Sequence, residues 1–389
     1  MNKPPVILLS GIRWDFLWQR HQILATAFAR AGYRTVYVET TGLSNPRFDL
    51  ATLRKVFARL RRSGAQGGGV RSAEKNLVEN LTVYSPLVAP PTAKVFRLMN
   101  RRVFAPRVVR DLRALVGGER PVVIAYLPTQ TTLDILSGLE PRLVCYDCSD
   151  NYEGFPGVPE DMARTERELL DRADVVSCTS QFLLRKVRAR RPDAFLSGPG
   201  VDYERFRVLQ GDGLVEKVRT ACFFGHISEE RIDFSILRAV AGAGFKTRLV
   251  GGLGRVEEGV LESAGIEHVG EVSHAALPGA LAGTDAFIIP YRISQLTRGI
   301  SPAKIYECFA TGKPVVASPL PELRELAEHV YLADGPEEFV SVLRRLPELE
   351  TEEKVKARVD LARQNSWEAR FQEIEAALWR TLSGGSRSV

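Results

Sequence analysis

The sequence has no apolar run approaching the roughly 18–20 residues that a membrane-spanning helix needs. Its longest apolar runs, 5–9 and 286–290, are of strand length. The first residues, Met1-Asn2-Lys3-Pro4-Pro5, lead into one short apolar stretch that soon meets Arg13, which is not the pattern of a secretory signal. A cytoplasmic protein is the expectation. Cysteine is scarce and odd in number, five in 389 residues, which excludes the dense framework of a disulfide-stapled secreted domain. Cys145 and Cys148 have C-x-x-C spacing, but no second Cys or His pair of ligand spacing answers them, so structural thiols are expected there. No low-complexity tract exceeds loop length. The dinucleotide fingerprint G-x-G-x-x-G is also missing. Its nearest match, Gly252-Leu253-Gly254-Arg255-Val256-Glu257, has a glutamate where the third glycine belongs, which argues against a nicotinamide dehydrogenase.

What is present is the mix of a soluble globular protein, 44% hydrophobic and 26% charged, in a chain too long for one ordinary core. The net charge of +6 is unevenly spread. Residues 1–195 carry 30 Lys and Arg against 19 Asp and Glu, whereas the remainder carries 23 against 28. A basic first half is a surface for an anionic partner.

Short apolar strands alternate with amphipathic helical stretches nearly throughout, the pattern of parallel α/β sheets. One strand series is expected at 6–9, 35–38, 81–84, 122–126, 143–146, 175–178 and 194–196. A second is expected at 221–224, 247–250, 268–269, 286–289, 315–317 and 331–332. Between them, 198–219 holds Gly-Pro-Gly and polar residues, as a linker does. The fold class expected is α/β, two doubly wound Rossmann-like domains: 1–198 and 199–365, with a helical tail 366–389 capped by Ser366.

The segment 288–317, IIPYRISQLTRGISPAKIYECFATGKPVVA, carries the densest chemistry. A buried strand ends at Pro290, a polar loop follows, and Ser301-Pro302 is expected to open a helix as N-cap and first helical residue. Free amides at such a start attract an anion such as a diphosphate. Lys304 adds a full positive charge, and Glu307, three residues on, shares its face and can accept two hydrogen bonds from a vicinal diol. An ordinary βαβ unit with a Lys304–Glu307 surface pair fits the same residues.

The stretch Ser301-Pro-Ala-Lys-Ile-Tyr-Glu-Cys-Phe-Ala-Thr-Gly-Lys-Pro-Val-Val resembles the donor-site helix of GT-B glycosyltransferases, within the broad family 4 class that includes teichuronic-acid-type and xanthan-type sugar transferases. Other pieces fit in order: Gln19-Arg20-His21-Gln22 with Tyr33 to Glu39, then Gly200-Val201-Asp202-Tyr203-Glu204-Arg205-Phe206, Phe224-Gly225-His226-Ile227, and Ser366-Trp367. The resemblance implies two domains facing across a cleft, with the nucleotide-sugar on the C-terminal one, the acceptor on the N-terminal one, and the tail helix crossing back to the first domain. It implies that Glu307 grips the ribose and that Lys304, Ser301 and Pro302 hold the diphosphate. Gly225 would admit the ligand, Arg292 would reach the diphosphate or an acidic sugar, the stretch Gly270 to Ser273 would meet the nucleobase through backbone groups, and Ile300 would be a further donor-binding residue.

The sequence departs from the retaining members, which carry a second glutamate where Gly299 stands here, and a basic pair where His226 and Ser228 stand. Inversion, needing only a base at the acceptor hydroxyl, is therefore slightly favoured. Asp150 is the first candidate base, on a loop expected to present Asp147, Asp150 and Glu153 after a strand; His21 is the second. The resemblance to inverting relatives points to Asp150. Arg13, Trp14 and Arg20 are acceptor-side candidates, although two Trp so close, Trp14 and Trp18, fit a domain seam equally well. Without an Asp-x-Asp motif, neither a metal nor any cofactor is expected beyond the nucleotide-diphosphate sugar as co-substrate.

Two segments of the first half, 53–62 and 94–107, mix Arg and Lys with apolar residues as interfacial helices do. The acceptor expected is a glycan, lipid-linked or small-molecule hydroxyl, with an anionic membrane surface as a further partner. Nucleic acid is not expected, because no recognised binding module occurs. The function expected is glycosyl transfer in cell-surface polysaccharide or glycolipid assembly. A nucleotide-sugar epimerase and a non-catalytic assembly module are the alternatives.

Overall fold

The computed structural model describes residues 3–15, 18–39, 70–71, 78–91, 93–154, 158–211, 213–256, 259–298 and 300–384. The first basic segment, 53–62, lies outside these residues, as do Glu257 and Gly299. The chain divides into two compact units. The first comprises Met1–Thr179, Leu183–Ser197 and Phe371–Val389, and the second Ser180–Phe182 and Gly198–Arg370.

In the first unit, apolar runs of four to six residues form a sheet of eight strands. They are β1 (Val6–Ser10), β2 (Thr35–Glu39), β3 (Val70–Arg71), β4 (Leu81–Tyr84), β5 (Val122–Ala125), β6 (Leu143–Cys148), β7 (Val175–Cys178) and β8 (Phe195–Leu196), the short β3 and β8 excepted from that length. The order is β3-β4-β2-β1-β5-β6-β7-β8. Every pairing is parallel except β3 with β4. All five residues of β1 and of β2 are buried, the mark of a parallel sheet covered on both faces. Phe371, Ile374 and Leu378 of the last helix, Trp367–Ser383, join this unit's core with Phe28 and Tyr37. Tyr33 Oη donates to Glu375 Oε1 at 2.6 Å and accepts from Trp379 Nε1 at 2.6 Å, fixing that helix in place. Ser366 Oγ accepts from the Ala369 amide at 3.2 Å, the N-cap bond its position predicts.

The second unit has six strands, all parallel. They are β9 (Thr220–Phe224), β10 (Lys246–Val250), β11 (Ile266–Gly270), β12 (Ala286–Ile289), β13 (Val315–Ala317) and β14 (Tyr331–Leu332). Their order, β11-β10-β9-β12-β13-β14, is the 3-2-1-4-5-6 arrangement of a doubly wound nucleotide-binding sheet. The order reverses between β9 and β12, and ligands of such sheets bind beyond the strand ends at that reversal.

All five cysteines are free and buried. Cys148 and Cys178 lie in register on β6 and β7, and burial pushes the Cys145 thiol far above its ordinary range. Among the described residues no three His, Cys, Asp or Glu side chains are grouped to hold a metal, and no helix is long and apolar enough to cross a membrane.

Candidate functional site

At the reversal in the second unit, β9 ends at Phe224 and the chain turns through Gly225 with φ +118°. β12 ends at Ile289 and continues into Pro290 and Tyr291. A seven-residue helix, Lys304–Ala310, follows before β13. Its first residue projects back to both strand ends. Lys304 Nζ donates to Tyr291 Oη at 2.8 Å and lies 4.6 Å from the centre of the Phe223 ring. An ammonium has three protons to donate, so two remain for a ligand. Among the described residues no carboxylate comes within ion-pair distance of it.

Gly225 is required here for two reasons. Its φ is one that side chains rarely adopt, and a Cβ at this position would come within 3.0 Å of Lys304 Nζ. The glycine thus leaves room for the lysine side chain. Gly251, with φ +142°, is more constrained still: a Cβ there would lie 2.0 Å from the Gly225 carbonyl oxygen. Gly270, at the end of β11, accepts the Gly251 amide at 2.8 Å. Three strand ends are therefore stitched backbone to backbone around the same crevice.

Glu307 stands one turn after Lys304, its side chain 17% exposed. Among the described residues it accepts no hydrogen bond, and the His274 ring lies beside it, with Nε2 3.6 Å from Oε1. A largely buried carboxylate without donors is costly, and the hydroxyls of a sugar would supply them. Beside Gly254, burial and the neighbouring Arg231 lower the pKa of His226, so its imidazole adds no charge at neutral pH.

The helix start differs from the expectation. The helix begins at Lys304, Ala303 precedes it in helical conformation, and no side chain caps it. Ser301 is not the N-cap, and Pro302 lies in a turn where its carbonyl accepts the Ile305 amide at 2.9 Å. Pro302 is buried, and Ile300 packs against the core. Arg292 is exposed, with its Nε donating to the Ile232 carbonyl at 2.9 Å.

In the first unit the corresponding reversal falls between β1 and β5. Ser10 Oγ, at the end of β1, lies 2.7 Å from His21 Nδ1 and 2.8 Å from Tyr37 Oη. The His21 ring stacks on Tyr126 with centroids 3.5 Å apart. Burial, with the adjacent Arg20 charge, lowers the His21 pKa to about 3. His21 is therefore a packed side chain, neutral at physiological pH.

Arg20 lies beside it in the same helix. It is buried, and it grips Asp147 through Nε to Oδ2 at 2.7 Å and Nη2 to Oδ1 at 3.2 Å, with Ser177 Oγ donating to Oδ1 at 2.8 Å. Burial opposes the Arg20 charge, but the carboxylate outweighs it and the pKa rises. Asp147 is accordingly inside β6 and fully buried, not on the loop expected to present it. Asp150 does lie past the strand end, partly exposed. Glu153, beyond it, pairs with Lys186 at 3.5 Å. Trp14 packs edge-on against Tyr37, centroids 5.0 Å apart, and against Trp18 at 5.1 Å, while its amide donates to Glu39 Oε1 at 2.6 Å. Arg13 is exposed and pairs with Asp15 at 2.7 Å.

Sequence reading missed the aromatic cradle of Lys304, Phe223 and Tyr291, and it stopped one residue short of His274. Tyr291 was legible in principle: it adjoins Arg292 immediately after a buried strand. Nothing in the spacing brings position 274 to position 307.

Residues 220–348 match the family model described as glycosyl transferases group 1. A Bacillus subtilis (strain 168) protein named as the teichuronic acid biosynthesis glycosyltransferase TuaH is 26% identical over 266 residues. That match covers 59% of this chain and 65% of the relative, just under two thirds of its length. A UDP-forming α,α-trehalose-phosphate synthase from Burkholderia vietnamiensis is similar in structure, with a TM-score of 0.65 at 12% identity and full coverage of both chains. A Listeria monocytogenes protein named as UDP-N-acetylglucosamine 2-epimerase reaches 0.58 at 12% identity, over 99% of this chain and 98% of its own. One architecture thus serves transferases and an epimerase, and only the site distinguishes them. The chain has the GT-B fold, and its residues 220–348 are similar to the glycosyl transferases group 1 family.

Proposed function

We propose that the protein transfers a sugar from a nucleotide-diphosphate sugar to an acceptor hydroxyl in the assembly of a cell-surface polysaccharide or glycolipid. The observation that carries this reading is the presence on one short helix, at the sheet reversal, of the Lys304 ammonium and the donor-less Glu307 carboxylate, which do not pair with each other. Lys304 binds the diphosphate and stabilises the charge that develops as it leaves. Glu307 accepts the ribose hydroxyls. Asp150, beyond β6, is the proposed base that takes the acceptor proton in an inverting displacement. The TuaH relative, by its name, acts in teichuronic acid biosynthesis, which favours a glycan or lipid-linked acceptor. The test is a panel of nucleotide-sugars with product analysis. Free nucleoside diphosphate with a new glycoside supports transfer, whereas an isomerised nucleotide-sugar alone supports the epimerase.

Two outcomes follow from Lys304. Lys304→Ala should weaken a nucleoside diphosphate about tenfold or more while leaving the nucleoside nearly unchanged, since a charge-assisted bond is worth roughly 1.5–3 kcal/mol. Titration of both ligands into both proteins checks this, and equal losses would oppose the assignment. With Lys304 neutralising the leaving group, turnover should survive a chelator. Loss of turnover restored by magnesium or manganese would contradict metal independence.

Peripheral binding to an anionic membrane is the second part of the proposal. The second basic segment forms a continuous helix, Lys94–Met99, through a π-helical turn at Asn100–Phe104 into Ala105–Leu115. Asn100 is buried, its amide exchanging two 2.8 Å bonds with the Ala89 backbone. That anchor leaves Val95, Leu98, Met99 and Val103 exposed at 40–59%, with Lys94, Arg101 and Arg102 also exposed. Arg97 is instead turned inward, to the Pro91 carbonyl at 3.1 Å and Asp161 at 3.4 Å. An apolar strip flanked by cations suits an anionic bilayer, at about 1 kcal/mol per basic residue near the surface. The protein should co-sediment with phosphatidylglycerol vesicles at low salt. Leu98→Asp with Arg101→Glu and Arg102→Glu should abolish this, and a wild type indifferent to such vesicles would refute it.

A further inference from the structure

Glu307 does not stand alone. Asp202 caps the short helix Tyr203–Phe206 and pairs with Arg205 at 3.2 Å. Arg205 Nη1 in turn contacts Nδ1 of His274, and the far nitrogen of that ring, Nε2, faces Glu307 Oε1 at 3.6 Å. These residues come from two separated segments, 202–206 and the loop after β11, and converge on a third, the helix Lys304–Ala310. The direction of the chain is fixed by chemistry. A guanidinium only donates hydrogen bonds, so Nδ1 must present its lone pair to Arg205, which puts the ring proton on Nε2. The ring nitrogen nearer the carboxylate is then the one that carries the proton. Phe206 packs edge-on to the ring, centroids 6.1 Å apart, and restricts its tilt.

We infer that His274, with its tautomer set by Arg205, is a positioning residue that holds the Glu307 carboxylate for two-hydroxyl recognition and so makes the site select ribonucleotides over 2′-deoxyribonucleotides. The inference rests on the reading of Glu307 as the ribose acceptor and goes beyond it. At 3.6 Å the imidazole does not occupy Oε1 with a full hydrogen bond; it biases the carboxylate toward one orientation while leaving its lone pairs for the ligand. Orientation is what a diol requires, because two hydroxyls on adjacent carbons demand two oxygens in one plane. A carboxylate free to rotate serves one hydroxyl as well as two.

The full chain is titrated with UDP and GDP and with their 2′-deoxy counterparts, and the ratio of the two dissociation constants is the readout. The wild type should prefer the ribonucleotide by about tenfold, the order of one charge-assisted hydrogen bond. His274→Ala should lower this ratio to near unity by weakening the ribonucleotide alone, and Arg205→Met should lower it partly. His274→Gln, whose amide places an N–H near the Nε2 position, should restore it. A His274→Ala protein that loses affinity equally for both nucleotides, or keeps the wild-type ratio, overturns the inference. Glu307→Gln separates this from its premise. If that variant collapses the ratio and His274→Ala does not, the positioning role fails alone. If Glu307→Gln leaves the ratio unchanged, or the wild type shows no preference, the ribose reading itself fails.

Discussion

Glu307→Ala is expected to reduce affinity for a nucleoside diphosphate by roughly two orders of magnitude or more, with the protein remaining folded. The reason lies in what the carboxylate lacks. Among the described residues nothing donates a hydrogen bond to it, and its side chain is 17% exposed. Removing it therefore breaks no internal bond, and the fold should survive with an unchanged unfolding midpoint. A ligand diol, by contrast, loses two charge-assisted bonds at about 1.5–3 kcal/mol each. Calorimetric titration of both proteins measures the difference. A folded Glu307→Ala protein that binds like the wild type would leave the donor site without its ribose contact.

The second large effect is on stability. Asp147→Ala should destabilise the first unit by about 3–5 kcal/mol, because it strands a buried guanidinium without its carboxylate. Asp147 is fully buried and Arg20 nearly so, so water cannot replace the lost partner. Ser197, which accepts from Arg20 Nη2 at 3.2 Å, is a neutral neighbour of the cation and cannot stand in for the carboxylate. The urea midpoint of the first unit's transition reads the loss. The double variant Arg20→Met/Asp147→Leu should recover much of it, since replacing both members of a buried pair with apolar groups removes the unpaired charge. An Asp147→Ala protein with the wild-type midpoint would show that the pair is not closed in solution.

Much of the fold was legible because parallel strands buried on both faces write themselves as short apolar runs. β4, β7, β12, β13 and β14 fall where those runs predict. β6 runs two residues further than its apolar run because Asp147 is tolerated inside it: Arg20, 127 residues away in sequence, neutralises it. Pattern alone cannot show that partner. The same blindness applies to Arg358, which reads as a surface residue on an amphipathic helix. It is fully buried, paired with Glu350 and bonded to the Gly312 carbonyl at 2.9 Å, where it fixes the turn after the Lys304–Ala310 helix.

That Lys304 and Glu307 share one helix was legible from their one-turn spacing. The start of that helix was misplaced because Ser-Pro is a strong local signal for an N-cap. Here the Pro302 carbonyl instead closes a tighter turn onto Ile305. His21 and Arg20 looked available because a helix periodicity does not reveal what stacks on it. Tyr126, just past β5, stacks on His21, and Asp147 of β6 pairs with Arg20.

The proposed function depends on where a nucleotide binds. Hydrogen–deuterium exchange of the full chain, with and without saturating UDP or GDP, measures that directly. Slowed exchange should be confined to peptides covering 223–228, 268–275 and 301–310, the strand ends and the helix that carry Gly225, His274, Lys304 and Glu307, and the effect should vanish in Glu307→Ala. Protection found only in the first unit, or none at any nucleotide concentration, would contradict the account.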